Sequence, residues 1–173
     1  MAAKYNFHTD VLPLKNELFR MALRITQNSA DAEDVVQDTM LRVWKRRDEW
    51  DGIESMEAFC LTICRNTALD RLRRMENHAQ SLDATVVEPA DYSHSANPED
   101  MAVQGDRIAL VRRLIGMLPE KQRSCMQLRD MEGKSYRDIA TILGITEEQV
   151  KVNIFRARKA VKERFLKKDA FGV

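Results

Sequence analysis

The chain has 173 residues, 44% of them hydrophobic and 32% charged, with a formal net charge of +1. That balance suits a soluble globular protein, and no apolar run approaches the ~20 residues a membrane-spanning helix needs. Six glycines, four prolines and 6% aromatics, with no β-branched runs, point to an all-α fold.

The opening "MAAKYNFHTDVLPLKNELF" has no apolar core followed by a small-residue cleavage site, so a cytoplasmic location is expected. The length allows one domain or two small ones. The small net charge conceals a division. Residues 1–80 hold 12 Lys/Arg against 13 Asp/Glu, residues 81–105 none against 5, and residues 106–173 16 against 9. A near-neutral head, an acidic middle and a basic tail imply three parts with different partners. Two small helical bundles joined by a flexible linker are therefore expected.

The first helix is predicted over His8 to Gln27, where Leu14, Leu18, Met21, Ala22 and Ile25 recur at helical steps. Asp31 is a candidate N-cap for the second helix, "AEDVVQDTMLRVWKRRDEW". Its inward stripe reads Val36, Met40, Val43 and part of Trp44. Its other side displays Asp34, Gln37, Asp38 and Leu41, a leucine among short acids and an amide, which suits a protein-docking spot. "DGIES" breaks the helix, with Gly52 permitting the turn.

The third helix is "MEAFCLTICRNTALDRLRRM". Leu61, Cys64, Ala68 and Leu72 form one stripe; Phe59, Ile63, Asn66, Asp70 and Arg73 form another, and the helix runs out in "DRLRR". Aromatics beside amide and guanidinium groups suit unstacked single-stranded bases, and Trp50 could join them. Core packing of Trp50, Phe59 and Ile63 is the competing expectation. Cys60, Cys64 and Cys125 are an odd number without framework spacing, so they read as core thiols, with no metal and no cofactor expected.

The stretch "SLDATVVEPADYSHSANPED" has two prolines and no helical period, and reads as a linker. Beyond it come "DRIALVRRLIGM" and "PEKQRSCMQLRDM", with Pro119 in a helix's first turn and Glu132-Gly133 ending it. The last pair of helices, "SYRDIATILGITEEQVKVNIFRARKAV", turns at Gly144, a place that often needs φ > 0. Thr146 and Gln149 have capping-box spacing. With Val150, Ile154, Ala157 and Val161 facing Ile139, Ala140 and Leu143, the outward face is Val152, Phe155, Arg156 and Lys159, flanked by Lys151. Cations match phosphates and apolar side chains match thymine methyls, so this is a candidate recognition helix. These features by themselves also fit a dimeric helix-turn-helix regulator or an interaction module. No catalytic constellation is present, and no enzyme is expected.

"DAEDVVQDTMLRVWKRRDEW" with "MEAFCLTICRNTALDRLRR" resembles region 2 of a bacterial sigma factor, and "LPEKQRSCMQLRDMEGKSYRDIATILGITEEQVKVNIFRARKAVKERF" resembles region 4. The pair resembles the extracytoplasmic-function (ECF) group of the sigma-70 family. The resemblance implies that residues 1–80 dock core RNA polymerase and recognise the −10 element, residues 81–105 link, and residues 106–173 recognise the −35 element. Matching positions for docking are Asp34, Gln37 and Asp38, with Leu41 on the same face. For the melted −10 strand they are Trp50 to Ser55 and Asn66, to which the helix's own Phe59, Arg71, Arg73 and Arg74 are added as candidate −10 contacts. For the −35 duplex they are Lys151, Val152, Phe155 and Arg156, with Lys159 added from the helix's outward face. Promoter DNA and an anti-sigma factor are the further partners implied.

Overall fold

A computed structural model describes residues 2–81 and 102–170, with side chains over residues 2–79 and 105–168. Among the described residues all regular structure is helical, as expected of an all-α chain. The chain divides into two compact units. Most of the stretch read as a linker, residues 82–101, lies outside the described residues.

In the first unit α1 (Lys15–Thr26), α2 (Ser29–Lys45) and α3 (Met56–Ser81) pack against one another as a three-helix bundle. The predicted single helix from His8 is instead broken. A wide turn, Phe7–Val11, and a tight one, Leu12–Leu14, precede α1. Pro13, near the start of the tight turn, has no N–H to donate back into a continuous α-helix, which accounts for the break. Gln27 ends α1 in the left-handed conformation at φ 56°. Asn28, rather than Asp31, then caps α2: its side-chain oxygen accepts from the Asp31 N–H at 2.9 Å.

Leu18, Ala22, Val35, Val43, Cys60, Leu61, Cys64 and Ala68 make the centre of this bundle. Buried hydroxyls are satisfied locally. Thr39 donates to the Val35 carbonyl at 2.7 Å and Thr67 to that of Ile63 at 2.7 Å. Because α3 meets both α1 and α2, its buried arc is wide and takes in Ile63, which a single-stripe reading had turned outward. The α2–α3 connection is a tight helical turn, Arg47–Gly52, followed by Ile53 in extended conformation. Gly52 closes this turn without a positive φ.

In the second unit α7 (Glu147–Ala170) packs against α4 (Ala102–Gly116), α5 (Glu120–Met126) and α6 (Tyr136–Leu143). Helix α4 begins inside the stretch read as linker. Leu114, Ile115 and Leu118 meet Ala157 and Val161 in one cluster. Pro119 stands at the N-cap of α5, one step before its expected place, and α5 runs into a wide turn, Gln127–Met131. Gly133 closes that turn at φ 67°, donating to the Arg129 carbonyl at 3.2 Å.

Candidate docking and nucleic-acid interfaces

The corner between α6 and α7 is specified by backbone chemistry. Gly144 adopts φ 66°, and its N–H donates to the Ala140 carbonyl, as does that of Ile145 at 3.1 Å. The capping box forms in both directions. The Thr146 N–H donates to Gln149 Oε1 at 3.0 Å, and the Gln149 N–H donates to Thr146 Oγ1 at 3.1 Å. Ser135 caps α6 by accepting from the Asp138 N–H at 3.1 Å.

With that corner fixed, the rotation of α7 follows from its apolar stripe. Val150, Ile154, Ala157 and Val161 are buried. Their counterparts on α6 are Ile139 and Ile142, whereas Ala140 and Leu143 are half-buried. The opposite face is left open: Val152 is 46% and Phe155 68% exposed, alongside exposed Lys151, Arg156 and Lys159. A shallow groove lies on this surface, lined by Tyr136, Lys151, Phe155, Arg158, Lys159 and Lys162 among others.

Tyr136 was not anticipated as part of this surface. Its ring has the Arg129 guanidinium 4.4 Å and the Lys151 ammonium 5.6 Å from its centroid. Its place at the start of α6, directly after the Ser135 cap, was the available signal. Arg158 is committed elsewhere: it donates to both carboxylate oxygens of Asp130, and this pairing raises its pKa further.

In the first unit, the outward face of α2 carries Asp34, Gln37, Asp38 and Leu41, all exposed, Leu41 by 57%. Trp44 extends it, 46% exposed while its ring also meets buried Trp50 edge-on at 6.2 Å. The Arg47 guanidinium lies 4.8 Å over the Trp44 ring, and Phe7 meets that ring edge-on at 5.5 Å. The signal was present in the spacing, since Trp44 follows Leu41 by three and Gln37 by seven.

The expected −10 residues separate into two groups. Asn66, Arg73 and Arg74 are exposed on α3. Phe59, half-buried on the same side as Asn66 and Arg73, has the Arg46 guanidinium 4.8 Å above its ring. Trp50 and Arg71 do not join them. Trp50 is buried at 7% exposure, and its indole N–H donates to the Val43 carbonyl at 3.2 Å. Stacking on a base would require it to leave the core. Arg71 projects towards the start of α2, donating to Asp31 at 2.7 Å and to Asp34 at 3.0 Å. The hydrogen bond with Asp31, helped by the charge of both acids, raises its pKa. It lies about 120° around α3 from Phe59, which carries it off the Asn66 face.

The three cysteines are buried and reduced. Burial pushes the thiol pKa of Cys60 and of Cys64 up to about 12, so both stay protonated and unreactive. Cys64 donates to the Leu18 carbonyl at 3.4 Å, a contact between α3 and α1. No group of three or more His, Cys, Asp or Glu converges on a cation site among the described residues. No described helix is long and apolar enough to cross a membrane.

Two helical units, one ending in a capped helix-turn-helix with a cationic outer face, define a helical DNA-binding architecture. Residues 11–77 match the family model for sigma-70 region 2, and residues 108–161 match that for sigma-70 region 4. The probable RNA polymerase sigma factor RfaY of Xanthomonas campestris pv. campestris is 29% identical over 166 residues, which is 94% of this chain and 41% of that protein. The ECF RNA polymerase sigma-E factor of Escherichia coli K12 is 30% identical over 139 residues, covering 77% of this chain and 73% of that protein. The sigma factor RpoE, in its co-crystal structure with the anti-sigma factor NepR from Bartonella quintana, superposes with a TM-score of 0.75 at 28% identity. That match covers 94% of this chain and 98% of RpoE.

The chain belongs to the sigma-70 family, in its extracytoplasmic-function group. It is an RNA polymerase sigma factor of promoter-specific initiation, a recognition subunit and not an enzyme.

Proposed function

We propose a division of labour among the faces described above. Residues 1–80 dock core RNA polymerase through Asp34, Gln37, Asp38 and Leu41, with Trp44 and Arg47 continuing that face. The same unit holds the melted −10 strand with the segment Trp50–Ser55 and with Phe59, Asn66, Arg73 and Arg74. Trp50 and Arg71 serve it by fixing the bundle. Residues 106–173 read the −35 duplex through Lys151, Val152, Phe155, Arg156 and Lys159, and residues 81–105 connect the two. The protein works in the cytoplasm. An anti-sigma factor is a further partner, supported by the relative RpoE being bound to NepR.

One observation carries the reading. A valine and a phenylalanine stay 46% and 68% exposed on the cationic side of α7, opposite its packing stripe. Cations supply the sequence-independent attraction to phosphates, and apolar groups in the major groove read thymine methyls.

Duplex at −35 needs no distortion, but a flipped −10 base costs a few kcal/mol of stacking. Binding both units to one polymerase raises their effective concentration on the promoter and offsets that cost. The test is separation of function. Gln37→Ala combined with Asp38→Ala is expected to lower polymerase affinity, and Arg156→Ala to weaken −35-dependent transcription with polymerase affinity intact. Equal loss of both activities in either variant refutes the division.

A further inference from the structure

The residues that precede the first helical turn reach across the bundle to the α2–α3 connection. Lys4 Nζ donates to the Ile53 carbonyl at 2.6 Å. The Tyr5 hydroxyl donates to the Glu54 carbonyl at 2.9 Å and lies 3.3 Å from that of Ile53. These carbonyls stand between the tight turn Arg47–Gly52 and the start of α3.

The arm that bears Lys4 and Tyr5 is itself anchored. Asn6 caps the turn Phe7–Val11 by accepting from the His8 N–H at 2.8 Å, and its own N–H donates to Asp10 Oδ2 at 2.6 Å. Val11 is fully buried. The connection is thus held at three places. Trp50 sits in the core at one end, and Ser55 accepts from the Ala58 N–H at 3.2 Å at the other. Lys4 and Tyr5 hold the middle. Their bonds add little apolar burial and cap no helix. What they restrict is the backbone of Ile53 and Glu54.

We infer that Tyr5 and Lys4 are positioning residues for the connection Trp50–Ser55, holding its backbone in the conformation that discriminates the −10 base. The inference rests on the proposed role of that connection in −10 recognition. Lys4 also brings a cation beside a segment facing a nucleic-acid strand.

The test uses holoenzyme assembled from core polymerase and the full chain. The probe is a promoter bubble whose −10 element is randomised, and bound molecules are sequenced to give the preference at each position. Tyr5→Phe removes only the hydroxyl, and Lys4→Met only the charge. Loss of one or two hydrogen bonds is expected to flatten the preference at one −10 position about threefold to tenfold. Preferences elsewhere and polymerase affinity should stay unchanged. A uniform loss of binding at all positions would mean a merely structural role and overturn the inference.

Asn66→Ala serves as the reference. If it flattens the −10 preference while Tyr5→Phe and Lys4→Met leave the profile intact, the positioning role is wrong and the −10 assignment survives. If none of the three changes the profile, both fall together.

Discussion

Truncating Phe155 to alanine separates the two possible fates of its ring. Full burial of a phenylalanine is worth ~1.5–3 kcal/mol. At 68% exposure, about a third of that, ~0.5–1 kcal/mol, rests on contacts within the protein. Alanine recovers up to ~0.7 kcal/mol through its better helix propensity. The net change in stability of the second unit is therefore expected to lie within ~0.5 kcal/mol.

By contrast, Ile154→Ala one position earlier removes a side chain that is 2% exposed, and should cost ~2–5 kcal/mol. Both tryptophans, Trp44 and Trp50, belong to the first unit, so tryptophan fluorescence does not report on this one. Native-state hydrogen exchange of the α7 amides does. On the promoter, the exposed two thirds of the ring would bury against the duplex. Its loss should weaken −35-dependent holoenzyme binding by about fivefold to thirtyfold, or ~1–2 kcal/mol. A fall in α7 protection of ~3 kcal/mol or more, with −35 preference unchanged, would refute the argument that the ring is held out for DNA.

Thr146→Ala removes the hydroxyl that accepts from the Gln149 N–H, leaving the backbone bond to Gln149 Oε1, and should cost the second unit ~1 kcal/mol, read from the same exchange experiment; an unchanged α7 would contradict the cap's role. Arg74→Ala should reduce the salt dependence of promoter binding by about one counterion, whereas Arg71→Ala should leave that slope alone and loosen the α2–α3 contact; equal slopes for both would show that Arg71 reaches phosphate. Cys60 and Cys64 ionise near 9 when unfolded and at about 12 when folded. Their protonated state therefore favours folding below pH 9, and that contribution is lost as pH rises from about 9 towards 12. Thiol reagents at pH 8 should label them only on unfolding, and fast labelling of the native chain would contradict their burial.

Local chemistry was the most legible part of the fold. Gly144, Thr146 and Gln149 lie within six residues, and their spacing contains the whole of the left-handed turn and capping box that form. The face of α7 followed, because one apolar stripe sets the rotation of a helix. The misreadings arose where distant segments decide. Pro13 breaks the first helix from within the apolar period that suggested it. Asn28 took the cap expected of Asp31, and Asp31 became a partner of Arg71, forty residues away.

The fate of Trp50 turned on the Val43 carbonyl, seven residues back across a bend. Helical periodicity does not extend through such a bend. Ile63 was turned outward because one stripe was assumed for a helix that packs on two neighbours. Lys4 and Tyr5 had no sequence signal at all, since their partners are backbone carbonyls some fifty residues away, and a carbonyl is present in every residue.

The measurement that bears most directly on the central claim is transcription from defined promoter fragments by core polymerase with and without the purified chain. The expected result is new transcripts from one start site, lost when either the −10 or the −35 element is scrambled, with weak duplex binding by the chain without polymerase. Tight binding of the free chain to a palindromic duplex, with no new transcript in the presence of polymerase, would contradict the account.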